Sequence, residues 1–170
     1  GGFAFSHRDI RYRAEVPGNA PTPADSDQDI VPLAGVPFEQ ILDYDLSCFP
    51  AARSSFLKGW ISQPDALALG CQREGELCGY GVIRRCGEGC KIGPLFADDT
   101  AAATALFAHL SAFAAGGPVF LDAPENNPAA IELAHRQRMV EVFGCARMYL
   151  GRFPDVAHER VFGVTTFELG

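Results

Sequence analysis

The sequence predicts an α+β or α/β sandwich, a mixed and mostly antiparallel sheet with helices on both faces. Three observations predict it. Cys90 to Ala134 runs strand, turn, helix, strand, helix, and a strand–helix–strand crossover of that length implies two parallel neighbouring strands. Residues 66–96 read as three strands joined by glycine-bearing turns, an antiparallel meander. With 170 residues, 48% hydrophobic and 21% charged, the chain can close one domain around a real core.

Residues 3–15 alternate roughly apolar and polar, as a strand does, and residues 16–27 are rich in Pro, Gly and small polar residues, as a linker is. A strand followed by a linker reads as the last piece of an earlier unit. Residues 3–13 are therefore expected to pair with an exposed sheet edge, of this domain or of a second copy. Ile30 to Leu33 is a short strand. Pro37 to Phe49 is a helix with Phe38, Ile41, Leu42, Leu46 and Phe49 on one side. Ala51 to Ser62 is a second helix with Phe56, Leu57 and Trp60 inward, stopped by Pro64. The meander follows as Ala66–Arg73, Leu77–Arg85 and Cys90–Phe96. Thr100 to Ala115 is a helix entered through Asp98-Asp99 and ended by Gly116-Gly117, since glycine tolerates the left-handed C-cap. Val119–Asp122 is the second parallel strand. Asn127-Pro128 opens the next helix, Asn as N-cap and Pro in the first turn. Cys145–Leu150 and Val161–Leu169 are two more strands around a Pro- and charge-rich loop. Ligands of such a unit sit beyond the carboxyl ends of the parallel strands, so the cleft near Ala97, Asp98 and Asp122 is where function is expected.

The formal net charge of −7 and the lack of a basic run argue against nucleic acid or an anionic membrane surface as partner. No apolar run approaches the roughly 20 residues of a membrane helix. The six cysteines lie in apolar surroundings and read as small buried hydrophobes of a cytoplasmic protein. Cys71–Cys78 and Cys86–Cys90 each face across a turn, but Cys78 and Cys86 are roughly 26 Å apart along one strand, so the two pairs share no metal. No His pair has metal spacing, and no metal is predicted. The chain begins Gly-Gly-Phe without an initiator Met, as a segment of a longer protein would.

This element order resembles the GNAT superfamily of N-acetyltransferases over roughly residues 28–170. Ile92-Gly93-Pro94-Leu95-Phe96-Ala97-Asp98 looks like the family's fourth strand, and Asn127-x-x-Ala130-x-x-Leu133 like its later helix motif. Lys91-Ile92-Gly93-Pro94-Leu95, Arg147-Met148-Tyr149 and Val161-Phe162-Gly163-Val164-Thr165-Thr166 are similar to the C-terminal domain of YitH-like tandem acetyltransferases. On that resemblance residues 1–15 match the final strand of a preceding GNAT domain. The resemblance implies acetyl-CoA as co-substrate and a small-molecule amine as acceptor, with Leu95, Phe96, Ala97 and Asn127 on the cofactor side. Two departures stand out. Where the family binds pyrophosphate through a glycine-rich turn, this chain reads Asp98-Asp99-Thr100-Ala101-Ala102-Ala103. Where many members place a proton-donating Tyr, it has Ala134.

Charges rarely face a core unpaired, so Asp45 and Arg53, on apolar faces of consecutive helices, either pin the helix corner or line an acceptor pocket. Asp122 ends a parallel strand and either orients an amine or caps the following turn. Tyr149 can supply a proton in place of the missing Tyr, or be a half-buried strand tyrosine; Tyr80 is read the same way. His7 and His158 are assigned to a tail and a loop, His109 and His135 to helix surfaces, and Cys48 lacks a neighbouring His to make it a nucleophile. Two functions stay open: an acyl-CoA-dependent N-acetyltransferase, or a non-catalytic GNAT-like domain that binds a small ligand or completes the site of a catalytic partner.

Overall fold

A computed structural model of the chain describes residues 2–18 and 29–169. The strands are β1 (Phe3–Glu15), β2 (Asp29–Pro32), β3 (Ala66–Arg73), β4 (Glu76–Arg85), β5 (Cys90–Ala97), β6 (Pro118–Pro124), β7 (Val140–Leu150) and β8 (Val161–Gly163). The helices are α1 (Phe38–Cys48), α2 (Ser54–Ile61), α3 (Thr100–Ser111) and α4 (Pro128–Arg136). One sheet runs β2-β3-β4-β5-β6-β1-β7, and β8 pairs with β5 off that path. All pairs are antiparallel except β5–β6, the parallel pair the crossover implied. One apolar layer packs α3 and α4 on a face of the sheet through Leu106, Leu110, Leu133 and Ala134. The other packs α1 and α2 through Ile41, Tyr44 and Leu57. The predicted sandwich is the fold.

Several boundaries differ from expectation for local reasons. α2 starts at Ser54, because residues 49–53 are spent turning the chain out of α1. Leu57 is its buried residue, while Phe56 and Trp60 stack on each other at 5.1 Å in half-exposed positions. Leu46 points outward, and Tyr44 and Asp45 take the inward face of α1. Cys86 is exposed and Cys145 half-buried, so only four of the six cysteines are core residues. Among the described residues no helix is long and apolar enough to cross a membrane.

The position of β1 is the largest departure. It takes no sheet edge. It lies between β6 and β7, with Arg11 opposite Asp122 on one side and Phe143 on the other. From Asp9 to Arg13 it is paired on both sides within this chain, while Phe3 to Arg8 pair with β7 alone. Alternation sends Ile10 and Tyr12 into the layer beneath α4. It sends His7, Asp9 and Arg11 to the opposite face. The expected linker leaves the sheet at Val16, which exchanges hydrogen bonds with Gly116 and Gly117; residues 19–27 of it lie outside the described residues.

The second departure is the tail. Val161–Leu169 is not one strand. Three residues pair with β5, Leu95 opposite Gly163 and Phe96 opposite Val161. The chain then crosses over, and Val164 N–H donates to the Asp122 carbonyl on β6. β5 and β6 pair only from Cys90 to Ile92 and Val119 to Leu121, then splay, and the tail fills the opening. Two glycines permit this. A Cβ on Gly163 would lie 2.6 Å from Leu121, and one on Gly93 would lie 2.5 Å from the Thr165 carbonyl. Gly93 belongs to an irregularity of β5, and the Trp60 indole N–H donates to its carbonyl at 2.8 Å.

Because residues 9–13 are paired on both sides, their amides should exchange with solvent at rates near those of β5. The amides of β2, at the opposite sheet edge, should exchange far faster. Hydrogen-exchange mass spectrometry measures both; fast exchange across 9–13 would contradict this sheet order.

Candidate active site

A cavity of about 200 Å³ opens at the carboxyl ends of β5 and β6, marked by Phe96 and Pro124. It lies at the end of the parallel pair where function was expected, but other residues build most of it. The α1–α2 corner contributes Cys48, Phe49 and Pro50, and the loop before β8 contributes Val156 and His158. β1 supplies His7 and Asp9, and β7 supplies Arg147 and Tyr149. Most of the wall is apolar, so a few polar groups decide what it can recognise.

Those polar groups converge from two adjacent strands. Asp9 is fully buried. Arg147 donates from Nε and Nη2 to Asp9 Oδ2, at 3.1 and 2.8 Å. Asp9 Oδ1 accepts no hydrogen bond. His7 Nε2 lies 3.4 Å from it, close enough for attraction but out of hydrogen-bond alignment. Ser6 Oγ sits 2.8 Å from His7 Nδ1 and fixes the ring. The His158 ring meets that of His7 edge-on, with centroids 5.6 Å apart. Burial pushes the Asp9 carboxyl upward, but His7 and Arg147 outweigh it and hold the carboxyl below its ordinary value. Burial, with His7 nearby, lowers the affinity of His158 for its proton. Burial pushes the Cys48 thiol up to about 11, which leaves it an inert wall group near neutral pH.

Sequence reasoning passed over His7, Asp9 and His158. The two histidines were read as tail and loop, yet His7 is buried and both line the cavity. Every second residue of β1 was a possible wall group, but only the insertion of β1 beside β7 selects a face. Of the expected site residues, Tyr149 and Phe96 do line the cavity.

The others are placed elsewhere. Asp45 and Arg53 pair: Arg53 donates twice to the Asp45 carboxylate at 2.9 and 2.8 Å, and its third nitrogen donates to Thr165 Oγ1 at 3.0 Å. The buried Tyr80 hydroxyl also donates to Asp45. Arg53 lies over the Phe49 ring, 3.9 Å from its centroid. Asp45, Arg53 and Tyr80 are mutually satisfied and are not among the residues that line the cavity; they pin the helix corner to the tail. Asp122 neither orients an amine nor caps a turn. Arg11 donates to both its oxygens at 2.7 and 2.8 Å, and Lys91 to one of them, in a fully buried position. Asn127 caps α4 by accepting from Ala129 N–H, and its amide donates to the Glu159 and Val161 carbonyls. Both ends of its side chain are engaged, which corrects the expectation of a cofactor contact. Ala134 lies on the buried face of α4, in the core.

The model of the Acetyltransferase (GNAT) domain matches residues 41–163. The chain belongs to this GNAT family. The GNAT domain is 26% identical over 133 residues to the holothin acyltransferase of Pseudoalteromonas sp. (strain SANK 73390), covering 78% of this chain and 45% of that protein. Among solved structures it is similar to a protein described as an acetyltransferase from Pyrococcus horikoshii, with a TM-score of 0.77 and 25% identity over 99% of this chain and 53% of that one. A GCN5-related N-acetyltransferase from Sphaerobacter thermophilus shares the fold at a TM-score of 0.60 and 15% identity, over 85% of this chain and 51% of that one. The chain thus spans about half the length of these relatives.

The family's usual co-substrate is acetyl-CoA, and the residues here do not fit it in its usual seat. A helix N-terminus holds pyrophosphate with free N–H groups and positive dipole. At α3 that end already carries a carboxylate: Asp99 Oδ1 accepts from Ala102 N–H at 2.8 Å, and Arg73 donates to Oδ2 at 2.9 Å. The Ala102 N–H, with Arg73 behind it, holds the Asp99 carboxyl below its ordinary value. Asp98 beside it takes bonds from Arg160 Nε and the Tyr44 hydroxyl, both at 2.9 Å. The splay that would admit a pantetheine arm is crossed by β8, so the β5 edge at Leu95 and Phe96 is paired within the chain. Ala97 is buried opposite Gly79 of β4. The backbones of Leu95, Phe96 and Ala97, expected on the cofactor side, are paired within the chain, and Phe96 also lines the cavity.

Two predictions follow from this geometry. Asp45→Ala leaves the Arg53 cation buried without its partner and should destabilise the domain by about 3–5 kcal/mol in urea unfolding. Tyr80→Phe removes one hydrogen bond to a buried carboxylate and should cost about 1.5–3 kcal/mol; a loss as large as that of Asp45→Ala would refute the cluster. The Asp9 carboxyl is lowered in the fold, so its contribution is complete above its unfolded value and disappears as pH falls through the folded one. The melting temperature should therefore fall below about pH 4, and the Asp9→Asn variant should fall less steeply.

Proposed function

We propose that this chain is the acceptor-side GNAT domain of a longer N-acyltransferase. It takes a small amine in its cavity, while acetyl-CoA is held by another domain of the protein; the chain resembles the C-terminal domain of YitH-like proteins, which carry two GNAT domains in tandem. The observation that carries the reading is Asp99. Its carboxylate occupies the N-terminus of α3, where the family's pyrophosphate would lie. A second anion there would meet like charge and would have to displace the Arg73 and Ala102 bonds. Acyl transfer as the reaction of the whole protein is supported by membership of the family and by likeness to an acyltransferase. The half-length match supports a companion region in the longer protein.

Within this reading the chain's residues bind and orient the acceptor and exclude water. Phe49, Phe96 and Val164 give the cavity its apolar wall. Tyr149 stands on β7 within that wall, placed to exchange a proton with a bound group.

Calorimetric titration of the chain with acetyl-CoA tests the proposal. A dissociation constant weaker than about 1 mM is expected. Micromolar binding would overturn the division of labour and favour a domain that holds its own acyl donor.

A further inference from the structure

We propose that Asp9 and His7, both carried by β1, are the recognition pair of the cavity, and that they select a small primary amine with an apolar body. This rests on the acceptor role argued above. It adds the residues that choose the acceptor, which lie outside residues 41–163 of the family match.

One buried atom beside the cavity is unsatisfied. Asp9 has no exposed surface, and its Oδ1 is without a hydrogen bond while Oδ2 takes two from Arg147. A buried acceptor without a donor is costly, and more so for a carboxylate. Asp9 is one of the residues that line the cavity. The His7 ring is drawn beside it at 3.4 Å but misaligned, so a small rotation of His7 opens Oδ1 to an incoming N–H. Such a rotation gives up no well-formed bond at Nε2, and the Ser6 hydroxyl, 2.8 Å from Nδ1, has to turn with the ring. Arg147 balances one charge of Asp9, and the pair together presents an acceptor rather than a strong negative field. Around this end the wall is apolar: Phe49, Pro50, Phe96, Val156 and Val164. A cavity of about 200 Å³ admits a molecule of roughly ten heavy atoms. One donor group and one compact apolar body match this wall. A carboxylate ligand offers Oδ1 no donor and would bind here only by taking Arg147 from Asp9.

Ligand-observed NMR on the whole chain tests this with three probe amines, benzylamine, tyramine and hexylamine, against phenylacetate, with no acetyl-CoA present. At least one amine should bind, at least tenfold tighter than phenylacetate. Asp9→Asn should weaken that binding at least tenfold. If Asp9→Asn fails to fold, Val156→Trp, which fills the cavity from a loop and leaves Asp9 in place, should abolish it. The proposal is overturned if none of the amines binds, if phenylacetate binds as well, or if binding survives the variant that folds. Tight acetyl-CoA binding in the separate titration would remove the two-domain reading and leave this amine result standing. Failure of the amines alone would remove this inference and leave the acyl-donor argument intact.

Discussion

The carboxylate of Asp122 is buried on β6 and held by two cations from its two neighbouring strands, Arg11 of β1 and Lys91 of β5. Removing such a carboxylate from water costs several kcal/mol, which only close and well-aligned partners offset. Once they do, the position of three strands is fixed together. β1 cannot slip by one residue without turning Arg11 away from Asp122 and sending Ile10 out of the core. The surplus positive charge is covered by Phe167, whose ring lies 4.5 Å below Arg11 and 5.4 Å from Lys91. The ion cluster therefore also anchors the tail. The Asp122 carbonyl accepts from Val164 N–H, so one residue secures both the inserted strand and the segment that crosses the splay.

That crossing segment decides the chemistry available to this domain. In the splay between β5 and β6 a strand edge would otherwise offer its backbone groups to a ligand. Here β8 takes them, and Arg53, Asn127 and Asp122 hold the tail by side chain and backbone. Each of these residues was a plausible site residue, because polar side chains near a cleft are what binding sites are made of. The fold uses them to hold its own chain. The polar groups of the cavity come instead from β1 and β7, the two strands at the far side of the sheet, and from His158 in the loop before β8.

The elements and their order were legible in the sequence. Periodicity, the Glu74-Gly75 turn and the Asn127 cap are short-range signals, each satisfied by residues within one or two turns of chain, and the crossover's length implied its parallel pair. The place of the cleft also followed, since the carboxyl ends of two parallel strands define it. The pairing of Asp45 with Arg53 was legible because eight residues separate them along one helical corner. Turn chemistry likewise exposed Asp98-Asp99 as unlike a phosphate seat.

What the sequence could not decide was which face of which strand meets which partner. Arg11 and Asp122 are 111 residues apart, Arg147 and Asp9 are 138, and Arg53 and Thr165 are 112. Contacts at such separations depend on where β1 enters the sheet, and an alternating strand offers either face equally until a neighbour is chosen. By itself the sequence determined a mixed sandwich with a cleft at the end of its parallel pair. The tertiary structure alone decided that the cleft is walled by His7 and Asp9, because burying Ile10 and Tyr12 beneath α4 turns the alternate residues of the same strand toward the cavity.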